Sequence, residues 1–134
     1  MNKELRILAV EDETAVAQFL ALVLCGPNCK VTTAGNGQEA LSKIEAASRP
    51  FDIIITDHRM PKMNGLEFVR ELRARCFEGK IVVLSAHLDA ANSRAYEELS
   101  VDLMLAKPFD VRELQHAVEV LANEPAMFAS PAGT

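Results

Sequence analysis

Phe51-Asp52-Ile53-Ile54-Ile55-Thr56-Asp57-His58-Arg59-Met60-Pro61, with Gly65 close behind, is the most informative stretch of this chain. Three consecutive isoleucines make a strand buried on both faces. A carboxylate where such a strand gives way to a loop lies at the carboxyl edge of a sheet. Open α/β folds place their ligand and reaction sites at that edge.

Outward from this strand, apolar runs at 5–10, 30–34, 80–85 and 101–105 read as further strands, the third itself covering 52–57. The runs at 5–10, 52–57 and 80–85 are rich in Val, Ile and Leu with little alternation, as in central parallel strands. Helical periodicity fills the gaps. Val16, Phe19, Leu20, Val23 and Leu24 are spaced as one buried stripe, as are Ala40, Leu41, Ile44 and Ala47. Leu66, Val69 and Leu72 follow, then Val111, Leu114, Val118 and Leu121. The segment 89–99 gives the thinnest stripe, Leu88, Ala91, Ala95 and Leu99. Asn36 with Glu39, Asn64 with Glu67 and Asp110 with Glu113 have capping-box spacing. Gly26-Pro27 and Gly79 read as helix stops. The alternation predicts a flavodoxin-like (βα)5 doubly wound parallel sheet of strand order 2-1-3-4-5. One domain is expected over 1–122, with 123–134 a flexible tail or linker stub.

Composition narrows the function classes. A chain of 134 residues suits one domain with a proper core, and 49% apolar with 25% charged residues is ordinary for a soluble globular protein. A net charge of −5 offers nothing to nucleic acid in general. No apolar run reaches the roughly eighteen residues of a membrane span, and the amino-terminal run is too short for a signal peptide. The cytoplasm is the expected compartment. Three cysteines without a secretory signal argue against a disulfide framework. Cys25 and Cys29 lack redox CxxC spacing and read as incidental thiols at a helix-to-strand turn.

In this topology the ends of strands one, three, four and five converge. They carry Glu11-Asp12-Glu13, Asp57, Ser85-Ala86-His87 and Lys107-Pro108-Phe109. Like charges ~4 Å apart cost roughly 4 kcal/mol at an effective dielectric near ~20. Either a carboxylate takes up a proton, or a cation sits among Glu11, Asp12 and Asp57. Oxygen-only ligands with room for water suit Mg²⁺. A metal and a lysine beside an exposed carboxylate form a phosphoryl-transfer site with Asp57 as nucleophile and Ser85 as a hydroxyl donor to a phosphoryl oxygen. Glu13 reads as a solvated first-turn acid and His116 as a solvated helix residue. His58 and His87 flank the site. Imidazole is a poor ligand for Mg²⁺, so His87 and the Arg59 side chain are expected to border the path of water and tune phosphate lifetime.

Val10-Glu11-Asp12-Glu13, Thr56-Asp57-His58-Arg59-Met60-Pro61 with Gly65, Leu84-Ser85-Ala86 and Lys107-Pro108-Phe109 stand in order, each at an expected strand end. In these motifs the chain resembles the response-regulator receiver domain of bacterial two-component signalling, over residues 5 to 122. The resemblance implies that Asp57 is the phosphoacceptor. It implies that Glu11 and Asp12, with Asp57 and the Arg59 backbone carbonyl, hold Mg²⁺. Lys107 would pair with the phosphoryl group, with a cis bond to Pro108, and Ser85 would be the switch hydroxyl. A histidine kinase or phosphotransfer protein would donate. The domain would catalyse only its own phosphorylation and slow dephosphorylation, and would be no enzyme otherwise.

By the same resemblance, output would leave through a face of helix four, strand five and helix five, around Arg94, Tyr96, Glu97, Gln115 and Glu119, toward a protein partner. Direct nucleic-acid or membrane contact is not expected; a dimer on activation is compatible. One position departs from the pattern: three residues before the lysine, where most receivers carry Tyr or Phe, stands Met104. Methionine fills irregular gaps and has no hydroxyl to signal with. A stand-alone receiver and one cut from a larger kinase or transcription regulator both fit. So, more weakly, does a receiver-like module that is never phosphorylated. An aspartyl-phosphate hydrolase would want a second Asp where Arg59 stands. A nucleotide module would want a phosphate cradle where Glu11-Asp12-Glu13 stands.

Overall fold

The computed structural model describes residues 4–24, 26–86 and 89–123. Five strands and five helices alternate: β1 (Leu5–Val10), α1 (Thr14–Leu24), β2 (Cys29–Ala34), α2 (Gly37–Ala46), β3 (Ile53–Asp57), α3 (Gly65–Ala74), β4 (Lys80–Ser85), α4 (Ala90–Glu98), β5 (Leu103–Ala106) and α5 (Val111–Ala122). All pairings are parallel and the sheet order is β2-β1-β3-β4-β5, the expected topology.

Successive side chains of a strand point to opposite faces, so each central strand feeds two cores. Leu8, Val10, Ile54, Ile81 and Val83 pack with Ala40, Leu41, Phe68, Val69, Leu72 and Tyr96 of α2, α3 and α4. Ile7, Ala9, Ile53, Ile55, Val82 and Leu84 pack with Leu20 and Leu24 of α1 and Leu114, Val118 and Leu121 of α5. This two-sided demand is why β1, β3 and β4 read as unbroken apolar runs.

The helix signals hold unevenly. Asn64 and Glu67 close a full capping box on α3. Asn36 caps Glu39 N–H on α2, but the Glu39 carboxylate accepts from Gly35 N–H at 2.5 Å instead of completing the box. Asp110 accepts from Arg112 N–H rather than from Glu113. Phe19, read as part of the buried stripe of α1, is 44% exposed; Ala17 is buried in its stead, beside Leu20 and Leu24.

Gly79 does not end α3. That helix closes at Cys76, with φ 61°, where Phe77 N–H reaches Leu72 O at 3.0 Å and Cys76 N–H reaches Arg73 O at 3.1 Å. Ser100, with φ 60°, closes α4 in the same way through Val101 N–H to Tyr96 O and Ser100 N–H to Glu97 O. Both are Schellman motifs with a non-glycine residue in the left-handed position. Val101 is thereby spent on the helix end, and β5 starts at Leu103 rather than at 101.

Candidate functional site

Strand register brings the chemistry together. Val10 pairs with Thr56, Asp57 with Leu84 and Ser85 with Ala106, so the four strands end almost level. The residue at or just past each end then faces one crevice. Glu11 follows β1 and is 2% exposed; Asp12 beside it is exposed. Asp57 ends β3 and Ser85 ends β4, both buried. Lys107 follows β5, held by its N–H to Ser85 O at 2.8 Å, and its bond to Pro108 is cis.

Lys107 Nζ lies 3.1 Å from Glu11 Oε1 and 3.3 Å from Asp57 Oδ2. The other Asp57 oxygen, Oδ1, accepts from His58 N–H at 2.8 Å. Glu11 Oε2 accepts from Glu13 N–H at 3.2 Å. Asp12, His58, Arg59, Met60, Pro61 and Asn64 line the open mouth of the crevice. The Arg59 side chain is exposed there, while Met104 is half-buried on β5 opposite Val83. His87 lies outside the described residues.

Burial raises the Glu11 carboxyl above its usual range, and the Asp57 charge adds to the rise against the hydrogen bond from Glu13 and the pairing with Lys107. Burial alone would lower the Lys107 ammonium, but Asp57 and Glu11 outweigh it and hold it above its ordinary value. Three carboxylates against one ammonium leave two negative charges, matching one divalent cation. Glu11, Asp12 and Asp57 each offer an oxygen within 4.8 Å of the others. That looseness suits a hard cation that keeps part of its water shell.

Tyr96 is where sequence reasoning erred. Placed on an exposed output face, it is instead fully buried, its hydroxyl 2.5 Å from His58 Nδ1. The signal was present: Tyr96 sits three residues before Leu99 of the thin stripe, so it borders the buried face. Gly65 belongs to the same knot. A Cβ there would lie 2.5 Å from Asp57 O and 2.7 Å from Tyr96 Oη.

Fold and site together define a class: a doubly wound α/β domain with an acidic, lysine-bearing crevice at the carboxyl edge of its sheet. The chain belongs to the response regulator receiver domain family, whose model matches residues 7–119. It is 36% identical over 121 residues to the response regulator ArlR of Staphylococcus aureus, covering 90% of this chain and 54% of that protein. The chain thus spans about half the length of the curated relatives it matches. The receiver domain of Francisella response regulator 1452 superposes with a TM-score of 0.78 at 28% identity, over 87% of this chain and 95% of that one. The chemotaxis protein CheY4 of Vibrio cholerae gives 0.79 at 29% identity, over 87% and 98%. A receiver domain is consistent with a two-component signalling switch. Among the described residues no helix is long and apolar enough to cross a membrane.

Proposed function

We propose that this domain is a phosphorylation switch that accepts a phosphoryl group on Asp57 from a histidine kinase or phosphotransfer protein. The convergence of Lys107 Nζ on both Asp57 and Glu11 carries the reading. A carboxylate oxygen of Asp57 attacks the phosphorus of a donor phosphohistidine. The new O–P bond forms as the P–N bond breaks, and the electron pair leaves on the imidazole nitrogen. The ammonium of Lys107 neutralises charge on the transferring oxygens, and the Ser85 hydroxyl donates to one of them. Glu11, Asp12 and Asp57, with the Arg59 carbonyl, are the residues that would hold Mg²⁺. Bound there, such an ion would supply positive charge to neutralise the phosphoryl oxygens.

The product is an acyl phosphate, and the domain catalyses its own dephosphorylation. Water attacks phosphorus, the O–P bond to Asp57 breaks, and inorganic phosphate leaves as the carboxylate returns. The exposed Arg59 side chain at the crevice mouth borders that water's path and tunes the phosphate's lifetime; the matching role expected of His87 falls outside the described residues. Beyond this self-directed chemistry the domain acts by binding. It works in the cytoplasm, where histidine kinases draw on ATP. The receiver unit runs to residue 122, and the expected tail falls, beyond Asn123, outside the described residues. Output passes to a protein partner through α4, β5 and α5, where Arg94, Glu97, Gln115 and Glu119 are exposed.

Incubation with acetyl phosphate and Mg²⁺ should add one phosphoryl group to the wild-type chain by intact-mass measurement. Omitting Mg²⁺ or substituting Asp57→Asn should abolish the adduct. An unmodified wild type, or a phosphorylated Asp57→Asn, refutes the assignment.

A further inference from the structure

His58 is bound on both sides of its peptide to the site. Its N–H donates to Asp57 Oδ1 at 2.8 Å and to Leu84 O at 3.1 Å, and its carbonyl accepts from Gly65 N–H at 2.7 Å. Its half-buried ring reaches toward α4. There Nδ1 meets Tyr96 Oη at 2.5 Å, with the two rings edge to face at 5.6 Å. Tyr96 is the fully buried side chain of α4 among the described residues, so the helix is seated on this one ring. At its far end α4 is pinned separately: Arg73 Nε donates to Leu99 O at 2.7 Å and Nη2 to Ser100 O at 2.8 Å.

The meeting depends on a missing side chain. With any Cβ at position 65, the Asp57 carbonyl, the His58 Cα and the Tyr96 hydroxyl would all lie within 2.9 Å of it. Burial raises the Tyr96 phenol above its ordinary pKa, and the negative charge of Asp57 adds to the rise. His58 is thus hydrogen-bonded to the acceptor carboxylate through its N–H and to the phenol through its ring. Met104, on the same side of the sheet and in the same apolar cluster as Tyr96, has no group that can make such a bond.

We propose that Tyr96 is a positioning residue that, through its hydrogen bond to His58, couples the state of Asp57 to the seating of α4. The coupling rests on the phosphorylation reading above. It assigns the signal to the joint between β3 and α4 rather than to position 104 of β5. Replacing the Asp57 carboxylate by a phosphoryl-bearing one changes what the His58 N–H faces. The peptide adjusts, the ring moves with it, and the Tyr96 hydroxyl loses or re-forms its partner. A helix seated on that single ring shifts in response. By linkage, whatever binds α4 changes the affinity of the Asp57 site by the same factor.

The test uses the full chain, saturated with beryllofluoride and Mg²⁺. Fluorine NMR reports the bound analogue, and amide NMR reports α4 from Ala90 to Glu98. In the wild type the α4 amides should shift on saturation. In Tyr96→Phe, which keeps the ring and removes the hydroxyl, they should lose most of that shift while amides beside Asp57 and Lys107 still respond. His58→Phe should give the same loss, and the double variant no further loss, because both act through one bond. A purely structural role would lower the melting temperature yet leave the α4 response of Tyr96→Phe as large as in the wild type, and that outcome overturns the coupling. Absence of a bound fluorine signal in the wild type overturns the phosphorylation reading, and the coupling falls with it.

Discussion

Glu11 shows how one residue serves the site at the expense of the fold. It is almost fully buried, beside a second carboxylate, with Lys107 shared between them. A folded-state pKa above the usual one means that its stabilising contribution is present at acid pH and lost as pH rises through the folded value. At neutral pH the charged form strains the metal-free fold. The isostere Glu11→Gln should therefore move the urea midpoint of the metal-free protein upward at pH 7. The same change should weaken Mg²⁺ binding by about 10-fold or more, measured by calorimetric titration. Lys107 follows the same sign at a higher pH: its contribution persists through neutral pH and is lost only above the ordinary lysine range. The identities of Glu11, Asp57, Ser85 and Lys107 were legible because each stands where an apolar run stops. Tyr96 was legible only in part: its place three residues before Leu99 marks the buried face, but a thin stripe gives no sign of which partner awaits its hydroxyl.

At the scale of elements, the caps divide in a way that physics explains. A capping box needs only side chains three residues apart, so Asn64 and Glu67 could be paired on sight. The ends of α3 and α4 could not, because the expected glycine is absent and Cys76 and Ser100 bear the left-handed backbone. That conformation costs an L-residue roughly 1–2 kcal/mol, which glycine relieves in part. Ser100→Gly should raise unfolding free energy by about 1 kcal/mol in urea titration, without altering Mg²⁺ binding. A decrease would show that the Ser100 side chain itself contributes at this turn. The starting point of β5 follows from the same turn, since Val101 donates its N–H back to Tyr96 O. Sequence periodicity sees an apolar residue at 101 and extends the strand; only the hydrogen-bond accounting assigns it to the helix.

For the whole molecule, a divalent cation held at the two uncompensated charges of the sheet edge would couple metal binding to stability. A ligand that binds the folded state alone stabilises it, by about 2.7 kcal/mol at one hundred times its Kd. Mg²⁺ should raise the melting temperature of the wild type, with chelator restoring the lower value, and should not do so in Asp57→Asn. Glu11 must be ionised to serve as a ligand, and its raised pKa keeps it protonated to a higher pH than an ordinary glutamate. The Mg²⁺-induced rise should accordingly fade, as pH is lowered, before ordinary carboxylates begin to protonate. A rise that persists unchanged into that range would place the ion elsewhere.

The sequence by itself determined the topology, because parallel strands buried on both faces must be written as continuous apolar runs separated by helical periods. It also determined which residues gather at one edge, because a sheet's carboxyl edge collects whatever residue follows each strand. Tertiary structure alone decided which side chains meet. A bond between His58 and Tyr96 spans 38 positions and depends on an empty place at Gly65. No local pattern encodes that, since it arises from two elements packing on a third.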